Sequence, residues 1–278
     1  MGKGKKKRGP KAKNNRGIKS NILEGVIQYQ EYSLSESRSL NSVKISPRSL
    51  NQEHYLKKLK NNTQKIVLAI GPAGTGKSLF ASQVGVDMFM RGKYERIIIT
   101  RPVMTVDEDI GFLPGSLEDK MAPWMSPIYD IFGEYFYQSE IKNMIEEKII
   151  EVCPLAFMRG RTFKKCWIIA DEMQNATKNQ LKMLLTRIGE KSKLVVTGDL
   201  EQNDRKDNDH GLEDFLKRVK KGSSKLISYQ EFGVDDVERC DVVKEVLNLY
   251  DDDNQKKVNK MNINVSHEIK TTVDINEN

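Results

Sequence analysis

The chain has three cysteines, Cys153, Cys166 and Cys240, and no Cys-x-x-Cys pair. So odd and scattered a set argues against a disulfide framework. It reads as free, mostly buried thiols in a reducing compartment, so a cytoplasmic location is expected. Histidine is as sparse: His54, His210 and His267 lie too far apart to assemble a zinc site. No stretch approaches ~18 uninterrupted apolar residues, so no membrane-spanning helix is expected. The basic N-terminus has no apolar run behind it and does not read as a secretory signal. Acid is missing from residues 1–20, which hold nine Lys or Arg.

That last absence locates the positive charge. The chain carries +7, so without its first 20 residues the other 258 carry −2. A segment with Lys3, Lys5, Lys6, Lys7, Arg8, Lys11 and Lys13 buries too little apolar surface to fold. It is either a solvated arm or a grip on nucleic-acid phosphates through counterion release. Residues 1–45 are therefore read as a basic, largely disordered arm, 46–250 as one domain, and 251–278 as a polar tail.

Within the domain, buried strands alternate with helices. Lys65–Ile70, Arg96–Thr100, Cys166–Asp171 and Lys193–Thr197 are short apolar runs of the kind buried on both faces of a parallel sheet. Ile149–Cys153 and Lys225–Phe232 add two more. Helices are expected over Gln52–Leu59, Lys77–Met90, about 117–147, Lys178–Ile188 with Thr177 as cap, and Asp236–Leu249. The alternation predicts an α/β fold with a doubly wound parallel sheet, whose ligand sits at the carboxyl ends of the strands.

The chemistry-bearing motifs fall at those ends. Gly71-Pro72-Ala73-Gly74-Thr75-Gly76-Lys77-Ser78, followed by Leu79, matches the phosphate-binding loop G-x-x-x-x-G-K-[ST] between a strand and a helix. Its glycines let backbone amides converge on one anion, and the next helix aims its positive end there. Lys77 would reach the β- and γ-phosphates and Ser78 would ligate Mg²⁺. Trp167–Ala170 delivers Asp171 to the sheet edge, where it can hold the same cation. Glu172 follows, suited to polarise a water. A third strand ends at Gly198-Asp199, with Gln202 and Asp204 beyond; Gln202 could sense the γ-phosphate. These residues describe a P-loop enzyme that hydrolyses a nucleoside triphosphate with Mg²⁺.

Further motifs carry a resemblance. Thr100-Arg-Pro-Val103, Gly111-Phe-Leu-Pro-Gly115, Met121-Ala-Pro-Trp124, Arg159-Gly-Arg-Thr-Phe163, Asp171-Glu-Met-Gln-Asn175 and Gly198-Asp-Leu-Glu-Gln-Asn-Asp204 form a series over about residues 50–250. It resembles the PhoH family of phosphate-starvation-inducible ATPases, many of them carried by phages. That family is similar to the nucleotide-binding half of superfamily-one helicases.

The resemblance implies that Gln52 reads the adenine edge and that Gln202 couples the γ-phosphate to nucleic acid. It also implies that Arg239 stabilises transition-state charge, in its own subunit or a neighbour's. Met173 stands where the family usually has alanine. No second helicase-type core and no PIN-type nuclease domain are read in the chain. A lone core would need a partner, a homo-oligomer such as a ring, or another way to grip a strand.

The expected function is ATP hydrolysis coupled to binding or remodelling RNA or single-stranded DNA, with Arg101, Arg159 and Arg161 as loop cations near the ligand edge. A ribonuclease and an ATP-dependent oligomeric switch without motor activity are the alternatives. A small-molecule kinase is disfavoured, because Glu172 favours water as acceptor and no arginine-rich lid is present.

Overall fold

The computed structural model describes residues 43–102, 117–202 and 209–238, with 242, 243 and 245 besides, and only the backbone of residues 117–124. Six parallel strands form one sheet: β1 (Ile66–Ile70), β2 (Arg96–Thr100), β3 (Ile150–Val152), β4 (Cys166–Ala170), β5 (Lys193–Gly198) and β6 (Ile227–Glu231). Their spatial order is β3-β2-β4-β5-β1-β6. The helices are α1 (Leu50–Lys60), α2 (Lys77–Met90), α3 (Leu117–Gly133), α4 (Gln138–Glu146), α5 (Lys178–Leu185) and α6 (Gly211–Lys221).

The order explains the layering. From β1 the chain steps one way along the sheet through β2 to β3; from β4 it steps back through β5 to β6, so the crossovers of the first half cover one face and those of the second half the other. One core joins Tyr55 and Leu59 of α1, Phe80 and Val84 of α2, and Phe132 and Ile141 beyond, to one face of the sheet. The other joins Leu181 and Leu184 of α5 and Leu212 and Leu216 of α6 to the opposite face. The expected doubly wound parallel sheet is thus what the chain forms. Because β1, β4 and β5 are covered on both sides, every residue in them is buried.

β5 lies between β1 and β4, in register Ala69↔Thr197 and Ala170↔Val196. This brings the ends of three strands distant in sequence side by side. On the α2 face, Trp167 of β4 donates its indole N–H to the Ala81 carbonyl at 3.0 Å. Gly85 permits the close pass: a Cβ there would lie 2.7 Å from Trp167 Cδ1 and Nε1.

Several boundaries differ from the sequence reading. α5 stops at Leu185 rather than Ile188, because residues 187–190 pair with the segment before β4: Phe163 N–H donates to the Arg187 carbonyl and Gly189 N–H to that of Phe163. The expected helix over 117–147 is two helices joined at 134–137. Helix α6 was not expected, although Glu213 and Asp214 pair with Lys217 and Arg218 at i,i+4 and Gly222 ends it. Asp236 closes a 3-10 turn (Val234–Asp236) rather than opening the last expected helix, of which the described residues 242, 243 and 245 are helical. Val43 is buried in the core and Ile45 packs against it. Residues 1–42 and 251–278, expected as arm and tail, lie outside the described residues. Cys153 and Cys166 are free and buried, and Cys240 lies outside the described set.

Lys193, at the start of β5, is 2% exposed. Its ammonium donates to the carbonyls of Lys58, Leu59 and Asn61 at the C-terminus of α1, which anchors that helix to the sheet. Burial, reinforced by Lys65 and Lys93, pushes its pKa down to about 7 despite the three acceptors. Between that value and the ordinary 10.5 the folded chain binds fewer protons than the unfolded one, so this group's penalty shrinks as pH rises.

The packing makes two outcomes testable. Wild type should gain about 2 kcal/mol relative to Lys193→Met between pH 7 and 9 in urea unfolding; a pH-independent difference contradicts it. Gly85→Ala should destabilise by about 1–2 kcal/mol, because the clash with Trp167 outweighs the gain in helix propensity. A raised melting temperature would show that α2 does not pass so close.

Candidate functional site

Strand β1 ends at Ile70 and the chain turns at once through Gly71–Gly76 into α2. Two glycines have backbones that a side chain would prevent. Gly71 has φ 146°, and a Cβ there would sit 2.5 Å from the Phe232 carbonyl oxygen. Gly76, at the cap of α2, has φ 83°, and a Cβ would strike Phe80. No side chain caps α2 and no acid stands in its first turn, so its positive end is left to an external anion.

The loop opens on a cavity of about 610 Å³. Ala73, Gly74, Gly76, Lys77, Ser78 and Leu79 line it from the loop side. Thr75 is buried and donates to the Pro72 carbonyl at 2.9 Å, which holds the loop's curvature. Lys77 Nζ lies 2.6 Å from the Gly71 carbonyl oxygen and 2.7 Å from that of Pro72. Burial lowers its pKa, and Asp199, Glu172 and Asp171 oppose the shift.

Across the cavity stand the ends of β4 and β5. The Asp171 carboxylate is 9% exposed, and its Oδ1 accepts two hydroxyls, from Ser78 and from Thr197 of β5, each at 2.5 Å. Three hard oxygen groups from three elements therefore meet at one point beside the loop. That set suits Mg²⁺, which takes few protein oxygens and completes its shell with water and phosphate. Consistently, no group of three His, Cys, Asp or Glu able to hold a metal occurs among the described residues. Thr197 was missed in the sequence, where it is merely a polar residue in an apolar strand.

Glu172 adopts φ 54°, the left-handed region, at a cost of roughly 1–2 kcal/mol for a non-glycine residue. Its Oε2 accepts a hydrogen bond from Gln174 Nε2 at 2.6 Å. The Gln174 Oε1 accepts from the Asp199 amide at 3.1 Å, and Gln174 is 2% exposed. One buried amide thus fixes Glu172 to the end of β5. Gly198 leaves room for it, since a Cβ there would lie 3.0 Å from that Oε1. The sequence holds Gln174 within a family-like motif, but its span between two strand ends is a tertiary fact.

The far wall comes from α1 and the segment after β6. Gln52 is buried at the cavity margin. Its Oε1 accepts from the Arg48 amide at 2.6 Å and the Ser49 amide at 3.3 Å, and its Nε2 lies 3.4 Å from the Thr75 carbonyl. It forms a capping box with Ser49, so its amide also serves the helix N-terminus. Asp236 accepts from Ser49 Oγ at 2.5 Å, Asn51 Nδ2 at 2.8 Å and the Gly233 amide at 2.8 Å. Burial works to raise the Asp236 carboxyl, but these hydrogen bonds outweigh it and hold it below its ordinary value. Glu238 N–H donates to the Gly74 carbonyl and its carboxylate pairs with Arg48 at 2.9 Å.

Gln202 lines the cavity from an exposed turn after Asp199. Arg239 and Asp204 lie outside the described residues, although Glu238, next to Arg239, lines the cavity. None of the three loop arginines expected at this edge, Arg101, Arg159 and Arg161, lines the cavity. Arg161 is held by both oxygens of Glu151 on β3, at 2.5 and 2.9 Å. Arg159 lines a separate cavity with Lys182 and Arg187.

Lys77→Ala should abolish binding of a magnesium–nucleoside triphosphate in calorimetry. Ser78→Ala should weaken mainly the magnesium-dependent part, by about tenfold. Equal losses with and without magnesium would contradict the assignment of the hydroxyl.

Similarity to known proteins identifies the chain's family. The family model described as "PhoH-like protein" matches residues 44–251. A PhoH-like protein of Bacillus subtilis (strain 168) is 37% identical over 237 residues, covering 85% of this chain and 72% of its own. Protein PhoH of Escherichia coli (strain K12) is 36% identical over 209 residues, covering 74% and 58%. A PhoH-like protein of Mycobacterium bovis is 45% identical over 160 residues, covering 58% and 45%. The chain thus spans about half the length of the latter two.

Among solved structures, the Sulfolobus solfataricus SWI2/SNF2 ATPase core in complex with dsDNA matches 68% of this chain and 45% of its own. Its identity is 16% and its TM-score 0.37, and so slight a likeness carries nothing further. With its phosphate loop, parallel sheet and match to the family over most of its length, the chain is a P-loop nucleotide-binding protein of the ATPase type and belongs to the PhoH-like protein family.

Proposed function

We propose that the chain hydrolyses ATP at this cavity and couples turnover to binding or remodelling RNA or single-stranded DNA. The observation that carries the hydrolytic part is the double tie at the end of β4: Asp171 joined to Ser78 and Thr197, and Glu172 joined through Gln174 to Asp199. The first tie supplies oxygen ligands beside the phosphate loop. The second aims a carboxylate at the place where a water would approach the γ-phosphate.

In this reading Lys77 leaves the Gly71 and Pro72 carbonyls for the β- and γ-phosphate oxygens. Magnesium, when bound by Ser78 and Asp171, would neutralise charge growing on those oxygens. Glu172 orients the attacking water and takes its proton, while the loop amides hold the transferring phosphoryl group. Gln52 faces the adenine edge, by exchanging its Thr75 contact for the base. Gln202 senses the γ-phosphate from the turn after β5, and Arg239 stabilises transition-state charge from its own subunit or a neighbouring one. A homo-oligomer, a ring among its forms, would give a lone core a continuous grip on a strand. The scattered free thiols suit a cytoplasmic setting, and phosphate starvation enters only as the family's label.

The nucleic-acid part rests on the helicase-like motif series and on the nine positive charges of residues 1–20. Glu172→Gln should retain ATP binding while turnover falls about 10²–10⁴-fold, the range of general-base catalysis. In wild type, oligouridylate or single-stranded DNA should raise ATP turnover, and deletion of residues 1–20 should weaken binding in a salt-sensitive way. Turnover indifferent to every RNA and DNA added would reject the coupling and leave the ATPase intact.

A further inference from the structure

The second cavity, about 470 Å³, lies between the loop after the 3-10 helix Leu155–Met158 and helix α5. It shares no residue with the nucleotide cavity. Arg159, Lys182 and Arg187 line it with Gly160, Asn179 and Thr186, and no carboxylate does. Along α5 and its cap, 179, 182, 183 and 186 follow the i, i+3, i+4, i+7 spacing of a single helix face.

Nearby and on the neighbouring helix, several cations are matched by acids: Arg161 with Glu151, Lys217 with Glu213, Arg218 with Asp214. Arg159 and Lys182 are exposed, and their side chains make no ion pair or hydrogen bond among the described residues. Arg187 is anchored from behind, donating to the Arg161 carbonyl at 3.3 Å and to Thr186 Oγ1 at 3.1 Å. Its Nε is buried without a hydrogen-bond partner. Gly160 has φ 78°, and the space a Cβ would take is open to 4 Å, so the backbone there is bare to a ligand. Three cations around one opening repel each other, and an anion lying across them relieves the repulsion and satisfies their donors.

We propose that this cavity holds the phosphodiester backbone of a single nucleic-acid strand. The site deepens the proposed coupling of turnover to RNA or single-stranded DNA, and it rests on that reading. An extended anion suits donors spread along a helix face better than a lone phosphate does. Phe157, two residues before Arg159, is 60% exposed and offers a ring on which an unstacked base can lie. Phe157 is outside the cavity lining but near Arg159 along the chain, and cations combined with an exposed aromatic are the pattern of sequence-tolerant single-strand binding. The position also suits coupling. Helix α5 starts just after Met173–Asn175, the turn holding Gln174 against Glu172, and its eight residues span about 12 Å. A strand pulling on one side of α5 acts through a short rigid element on the carboxylate beside the nucleotide.

The test is fluorescence anisotropy of a labelled 20-nucleotide oligouridylate with the full chain, at salt from about 50 to 200 mM. Arg159→Ala with Lys182→Ala should weaken binding about tenfold. The log–log salt slope should flatten by about 1.4, roughly 0.7 for each single-strand phosphate that the variant no longer neutralises. Phe157→Ala should weaken binding about fivefold or more with the salt slope unchanged. Thermal unfolding and ATP turnover without RNA should match wild type in these variants. Wild-type binding with unchanged affinity and slope in the double variant overturns the site and leaves the coupling standing. No binding by wild type overturns the coupling and the site with it. Displacement of the strand by polyglutamate as readily as by unlabelled oligouridylate would mean that the cavity serves an acidic protein segment, and would also overturn the proposal.

Discussion

One carboxylate oxygen, Oδ1 of Asp171, accepts hydroxyls from Ser78 at the start of α2 and Thr197 at the end of β5. Asp171 follows β4, so the point of contact joins the phosphate-loop helix and two strands. A buried carboxylate needs such donors, because a buried charge without partners is costly to the fold. The same need keeps the three elements in register. The parallel sheet allows it: with β5 between β1 and β4, all three carboxyl ends open on one edge. The phosphate loop, a cation-binding oxygen set and a candidate base carboxylate share that edge for topological reasons.

A second tie works alongside the first. Gln174 spans from Glu172 to the Asp199 amide and is buried, so the strained backbone of Glu172 is held rather than relaxed. The strain and the hydrogen bond are complementary. Left-handed φ turns the Glu172 side chain out of the strand direction, and the amide decides where it comes to rest. Opposite, Asp236 gathers Ser49, Asn51 and the Gly233 amide and so closes the cavity wall with α1. Buried Lys193 holds the other end of that helix by its terminal carbonyls. Helix α1 is therefore fixed at both ends by charged groups, which makes the cavity mouth a built feature of the fold.

How much of this was legible follows from the range of each interaction. The strand runs of β1, β4 and β5 show as continuous apolar segments because burial on both faces removes any alternation. The phosphate loop is legible because its contacts are local: glycines, lysine and serine act within eight residues. Ser49 and Gln52 also lie close in sequence, yet the capping role of Gln52 emerged only with the fold, since the same glutamine suggested a base contact. Helix α6 was legible and overlooked, its i,i+4 ion pairs being plain in the chain. The shortened α5 was not, because what ends it is pairing with residues 163–165, an arrangement no local pattern announces. Arg159 and Arg161 read alike in the motif; only the neighbouring Glu151 on β3 separates a paired arginine from an unpaired one.

By itself the amino-acid sequence determined the class of fold, the anion cradle and the identity of the acids that follow β4, because these depend on backbone preference and burial over a few neighbouring residues. The tertiary structure alone decided which hydroxyls meet Asp171, how Gln174 orients Glu172, and where unpaired positive charge collects beside α5. Each of those depends on side chains separated by tens of residues, brought within hydrogen-bonding distance by strand order, and strand order is set by the packing of both sheet faces at once.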